Sequence, residues 1–198
     1  VKKQLARLIL KLGGWELDDA LSGYHGSCVM IGAPHTSNWD FVYAIMVFTV
    51  LDIPIRFTIK KEWMRFPFGS LMRSLGAIPI DRSPLKPGDP PRGTTEAMVS
   101  LFQSQKNLVV LITPEGTRSR RTEWKTGFYY VALQAGVPIG LGYLDYKTRI
   151  AGVKEFFWPT GDIVRDMHHI MEFYSGVNPK RPEKFSVDVR FYPNQKKA

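Results

Sequence analysis

The sequence predicts an α/β sandwich: a central, mostly parallel sheet with mixed edges, flanked by helices and preceded by an amphipathic helix. Three observations carry that expectation. Short apolar runs and helical patterns alternate in β-then-α order, the arrangement that builds parallel crossovers. The run at 107–113 is apolar almost throughout, as in a strand buried on both faces. Late in the chain a turn at 145–147 and an alternating segment at 186–192 point to mixed edges.

Taken in order, residues 2–12 place Leu5, Leu8, Ile9 and Leu12 on one helical face and Lys3, Arg7 and Lys11 on the other, with Trp15 following. A basic amphipathic helix ending near an aromatic suits a membrane interface (residues 1–15), and equally a helix packed on the core with a solvated basic face. Residues 28–32 read as a strand, 38–51 as a helix, 56–60 as a strand and 62–75 as a helix. A short strand is expected at 77–80, a surface loop rich in proline and charge at 81–92, and a helix at 93–105. The strand at 107–113 is followed by a helix at 128–135 that Gly136 stops, then a strand at 138–144. A turn leads into a strand near 149–153, a helix covers 163–174, and 186–192 alternates like an edge strand.

Composition narrows the class. The 198 residues suit one domain, 1–198, and 44% hydrophobic with 23% charged residues excludes disorder of the whole chain. A net charge of +9 favours anionic partners: nucleic acid, acidic lipid headgroups or an acidic carrier protein. No nucleic-acid motif appears, and the aromatics do not interleave with a basic stripe, so no nucleic-acid partner is expected. The longest apolar run, 41–51, falls short of the ~18 residues a membrane span needs. Apolar and aromatic residues at 63–68 suit either the core or an interface. Cys28 is the one cysteine, so no internal disulfide forms, and its apolar neighbours suit a buried, inert thiol. The chain opens on Val1 rather than Met, which leaves room for a trimmed upstream segment.

In sheets of this kind, sites form beyond the carboxyl ends of the strands. Three loops there carry chemistry. The first holds Pro34, His35, Ser37, Asn38 and Asp40. An imidazole has the basicity to deprotonate an alcohol, and a carboxylate on its other nitrogen fixes the tautomer and stabilises the imidazolium. The bland alternative is a loop histidine, with Asp40 satisfying local amides and Ser37 or Asn38 capping the helix. The second loop holds Asp81 and Arg82, and Lys60 ends a neighbouring strand; both cations can add charge to the same cleft or be solvated. The third holds Glu115, Gly116, Thr117, Arg118 and Ser119, where backbone amides, hydroxyls and Arg118 offer donors to an anion. Glu115 would repel a phosphate, so it must orient an arginine or a substrate hydroxyl instead. No Gly-x-Ser-x-Gly elbow is present, and no paired Cys/His spacing suggests a metal.

These residues resemble the motifs of the glycerolipid acyltransferase family, to which the lysophosphatidic acid acyltransferases belong. The stretch from His35 to Asp40, a His and an Asp with four residues between, is similar to its first motif. Lys60-Lys61-Glu62-Trp63, Pro67, Gly69 and the stretch Gly76 to Arg82 look like its second, Pro114 to Ser119 its third, and Gly136-Val137-Pro138-Ile139 its fourth. The resemblance covers about residues 28–145. It implies direct transfer of a fatty acyl group from an acyl-CoA or acyl-carrier-protein thioester to the hydroxyl of a lysophospholipid such as lysophosphatidic acid, without an acyl-enzyme. His35 would be the base and Asp40 its orienter. Arg82, Glu115, Gly116, Thr117 and Arg118, assisted by Lys60, would hold the phosphate-bearing acceptor, and the Pro138 segment would help shape a channel. No cofactor beyond the donor substrate is implied. The expected setting is the cytoplasmic face of a membrane with anionic lipids, bound peripherally, although the 34 residues before His35 leave little room for the anchor many relatives carry. Other acceptors (an amino-acid lipid, a glycolipid, glycerol 3-phosphate), a hydrolase, or a non-catalytic basic lipid-binding module remain the alternatives.

Overall fold

The computed structural model describes residues 2–59, 69–79 and 93–193. Seven strands form one sheet: β1 (Glu16–Asp18), β2 (Cys28–Gly32), β3 (Ile55–Ile59), β4 (Ala77–Pro79), β5 (Val109–Ile112), β6 (Ile139–Asp145) and β7 (Ile150–Phe157), in the order β1-β7-β6-β2-β5-β3-β4. Every pairing is parallel except β6 with β7. The exception follows from the connection: residues 146–149 are a turn, which can only join antiparallel neighbours, whereas helices carry the chain between the strands β2 to β6. The helices are α1 (Lys2–Leu12), α2 (Asn38–Leu51), α3 (Gly69–Ser74), α4 (Thr94–Ser104), α5 (Gly127–Ala135) and α6 (Ile163–Ser175).

The central strands bury both faces, and their side chains alternate between two cores. Val29, Ile31 and Val110 pack with α4, α5 and α6, around Phe128, Met167 and Ile170. Cys28, Met30, Val109 and Leu111 point the other way, toward Leu10 of α1 and Val47, Phe48 and Leu51 of α2. The Cys28 thiol is fully buried, and that burial pushes its pKa up to about 12. It is a packing group, as expected.

Two expectations change, and one strand was not anticipated. Residues 186–192 are not a strand. Ser186, Val187 and Asp188 are buried, and the segment is held by side-chain bonds to Trp124: its amide donates to Asp188 Oδ2 (2.9 Å), and Arg190 Nη2 reaches both that oxygen (2.6 Å) and the Trp124 carbonyl (2.8 Å). The alternation there records side-chain anchoring rather than a ladder. Strand β1 was not legible, because three residues containing one aliphatic side chain carry no period. In α1, the face turned to the protein is Ala6 and Leu10, while Leu5, Leu8 and Leu12 are 56%, 52% and 79% exposed. The helix is therefore packed through one stripe and leaves three leucines of the expected apolar face outward. Of the expected helix at 62–75, residues 69–74 are helical; 60–68 and 80–92 lie outside the described residues, and with them Lys60, Arg82 and the loop at 81–92.

Candidate active site

The site is built at the carboxyl end of β2. The chain leaves Gly32 and starts α2 at Asn38, with Ser37 as N-cap in an extended conformation (φ −148°) whose Oγ accepts the Trp39 amide proton (3.3 Å). Asp40 occupies the third helical position and closes the capping box: its Oδ2 accepts the amide protons of Thr36 (2.6 Å) and Ser37 (2.7 Å). The helix cap thereby fixes the carboxylate five residues after His35. His35 Nδ1 lies 3.6 Å from Asp40 Oδ2. That is ion-pair range rather than hydrogen-bond length. With Nδ1 turned to Asp40, Nε2 is the nitrogen left for a substrate. The histidine side chain is 19% exposed and that of Asp40 5%.

Burial alone would raise the Asp40 pKa. Its partners win: His35, the Tyr146 hydroxyl and the amides of Ser37 and Thr36 hold the carboxyl below its ordinary value. Tyr146 donates to Oδ1 at 2.8 Å. It sits in the β6–β7 turn, outside every motif, and only its place after Asp145 in a turn was legible from sequence.

Glu115, Gly116, Thr117 and Arg118 follow β5, beside β2 in the sheet. Glu115 does not face the cleft. Its side chain is buried beneath the first loop, where Oε1 accepts the His35 backbone amide proton (2.8 Å) and Oε2 has no hydrogen-bond partner among the described residues. Burial pushes its pKa up to about 7, against the opposing pull of that amide. Gly116 takes φ +66°, a left-handed turn, and a Cβ there would stand 2.9 Å from Lys125 Nζ. The cation of Lys125 is thus a neighbour of the loop that sequence motifs did not single out, since it lies ten residues downstream of Glu115. Thr117 Oγ1 accepts the Ser119 amide proton (3.3 Å), and Arg118 is exposed.

His35, Asp40, Gly116, Thr117 and Arg118 all border one cavity of about 970 Å³. Its wall continues along Phe41, Ala44 and Phe48 of α2, Phe57 of β3 and Leu111 of β5. The site thus joins an imidazole and a cation at the rim to an apolar interior between α2 and the sheet. Of the eight sequence-predicted residues, it brings together five at the cleft and sets Glu115 behind them; Lys60 and Arg82 lie outside the described residues. Among the described residues no cluster of His, Cys, Asp or Glu has the geometry to hold a metal ion.

Residues 23–140 match the family model described as Acyltransferase. The 1-acyl-sn-glycerol-3-phosphate acyltransferases of Salmonella typhimurium and of Escherichia coli K12 are each 33% identical over 119 residues, spanning 58% of this chain and 45% of theirs. The chain therefore matches less than half the length of these relatives. The crystal structure of the 1-acyl-sn-glycerophosphate (LPA) acyltransferase PlsC from Thermotoga maritima superposes with a TM-score of 0.52 at 14% identity, over 81% of this chain and 68% of that one, a likeness of fold. With the family match spanning the strands and loops that carry His35, Asp40 and residues 115–118, the chain belongs to the Acyltransferase family.

Proposed function

We propose that this chain transfers a fatty acyl group from a coenzyme A or acyl-carrier-protein thioester to the free hydroxyl of a lysophospholipid of the lysophosphatidic acid kind. The supporting observation is that a His–Asp pair and an anion-compatible loop open onto the same apolar cavity. The acyl chain fits the apolar wall, and the acceptor phosphate fits Arg118 with the Gly116 and Thr117 backbone.

His35 Nε2 takes the acceptor's hydroxyl proton as that oxygen attacks the thioester carbonyl. The C–O bond forms and the carbonyl becomes a tetrahedral oxyanion. Its collapse breaks the C–S bond, and the departing thiolate recovers the proton from the imidazolium. Asp40 keeps the Nδ1 tautomer in place and offsets the imidazolium charge. No acyl-enzyme enters this scheme: Cys28 is buried away from the cleft, and the Ser37 oxygen is engaged in capping α2. Glu115 serves by holding the His35 backbone rather than by touching substrate.

The reading places the chain at a membrane surface. Leu5, Leu8 and Leu12 of α1 and Trp39 and Val42 of α2 are exposed, and the net charge is +9. Among the described residues no helix is long and apolar enough to cross a bilayer.

Incubating the chain with one acyl-CoA and a mixed pool of lysophospholipids, lysoglycolipids and glycerol 3-phosphate, then reading products by mass spectrometry, tests the proposal. The expected product is the diacyl phospholipid bearing a phosphate monoester. Thioester loss without any acylated lipid, or acylation of uncharged acceptors alone, would overturn it.

A further inference from the structure

Two segments beyond the family match reach back to the catalytic loop. Asp145 ends β6, and its Oδ1 accepts the amide protons of Lys147 and Thr148 (both 2.9 Å), which shapes the turn. Its Oδ2 accepts the backbone N–H (3.1 Å) and side-chain N–H (2.8 Å) of Asn178, while the Tyr146 amide donates to the Asn178 carbonyl (2.8 Å). The turn and the chain after α6 are therefore clasped together. The clasp touches the site twice. Arg181 donates its amide proton to Thr36 Oγ1 (3.3 Å), and the Tyr146 hydroxyl donates to Asp40 Oδ1 (2.8 Å).

Tyr146 is held from several sides. Its ring meets Trp15 edge-on at 5.0 Å and Tyr43 at 6.4 Å, with Arg149 and Lys180 over its face at 5.9 and 5.7 Å. Burial, then the bond to Asp40, raise its phenol pKa far above the ordinary range, so it is a donor at every working pH. Asp40 Oδ2 is committed to two backbone amides, which fix one oxygen only. The second contact, on Oδ1, sets the rotation of the carboxylate plane and hence the edge it offers to His35 Nδ1.

We infer that Tyr146 is a positioning residue for the His35–Asp40 pair, with the Asp145–Asn178 clasp holding Tyr146 in place. This rests on the acyl-transfer reading, and its test is separable from that reading. Tyr146→Phe keeps the ring packing and removes the one hydroxyl. Steady-state transfer with acyl-CoA and lysophosphatidic acid is measured for Tyr146→Phe, Asp40→Asn and the double variant, together with His35→Ala. The inference expects kcat of Tyr146→Phe to fall about tenfold with both KM values unchanged, and the hydroxyl's removal to cost nothing further on the Asp40→Asn background. Wild-type kcat in Tyr146→Phe, a change confined to KM, or the same tenfold loss on both backgrounds overturns it. Full activity in His35→Ala instead overturns the catalytic reading itself, whatever Tyr146→Phe does.

Discussion

The Oδ2 atom of Asp40 accepts the Thr36 and Ser37 amide protons and lies beside His35, so the carboxylate proposed to orient the base also starts a helix. Two variants separate these roles. Asp40→Ala should lose transfer and destabilise the fold by about 1–3 kcal/mol, since two buried amides lose their acceptor. His35→Ala should lose transfer with little change in melting temperature, because the ring makes no cap. Thermal melts of both check this. Glu115 offers a second experiment. Its pKa rises from 4.5 to about 7 in the folded chain, so the native state holds this proton more tightly than the unfolded one. Its stabilising contribution is complete below pH 4.5 and is lost as pH climbs through 7. Glu115→Gln keeps an oxygen for the His35 amide and removes the titration. The wild type should therefore lose roughly 2–3 kcal/mol relative to Glu115→Gln between pH 4.5 and 8, read from paired denaturation curves. Equal curves across that range would show that Glu115 stays ionised at little cost. The Glu115 side chain could be singled out from sequence, and its incompatibility with a phosphate was plain. Its true partner, a backbone amide 80 positions away, leaves no mark in residue pattern.

At the scale of elements, legibility tracked periodicity. Strand β2 and helix α2 fall where apolar runs and the Ser37 cap place them. α2 is apolar around its whole circumference, so pattern could mark its existence but not which face meets the sheet. In the structure Val47, Phe48 and Leu51 are buried, while Trp39 and Val42 stay exposed. α1 shows the converse. Its leucine stripe was visible, yet packing selected the neighbouring line through Ala6 and Leu10, because a small residue allows close approach to α2. Replacing Leu5, Leu8 and Leu12 together with Ser should leave the unfolding free energy within about 1 kcal/mol of wild type, since exposed positions away from special features contribute little. The same variant should bind phospholipid vesicles several-fold more weakly. Unchanged vesicle binding would remove α1 from the membrane-facing surface. The failed strand at 186–192 belongs here too: the buried Asp188 and the exposed Arg190 form an ion pair that alternates in sequence with Val187 and Val189 in the same period a strand would show.

For the molecule as a whole, the sheet order places the ends of β2 and β5 side by side, and so joins loops 80 residues apart in sequence into one cleft. That convergence is what a β-then-α order implies. The contribution of residues beyond 145 was not legible, because hydrogen bonds such as that from Tyr146 to Asp40 depend on tertiary placement rather than on a local motif. The net charge of +9 acts at this scale as well. Binding to vesicles of phosphatidylcholine doped with phosphatidylglycerol should weaken steeply between low salt and ~0.5 M salt, as the Debye length shrinks. Salt-insensitive binding would assign the attraction to the apolar surface alone.

The central claim is that the His35 imidazole removes the acceptor's proton. Single-turnover acyl transfer from acyl-CoA to lysophosphatidic acid, comparing wild type with His35→Ala at matched folded concentration, tests it most directly. The account predicts a rate about 10²–10⁴-fold lower in the variant with vesicle binding intact. A variant rate within about threefold of wild type, too small a loss for a general base, would contradict it.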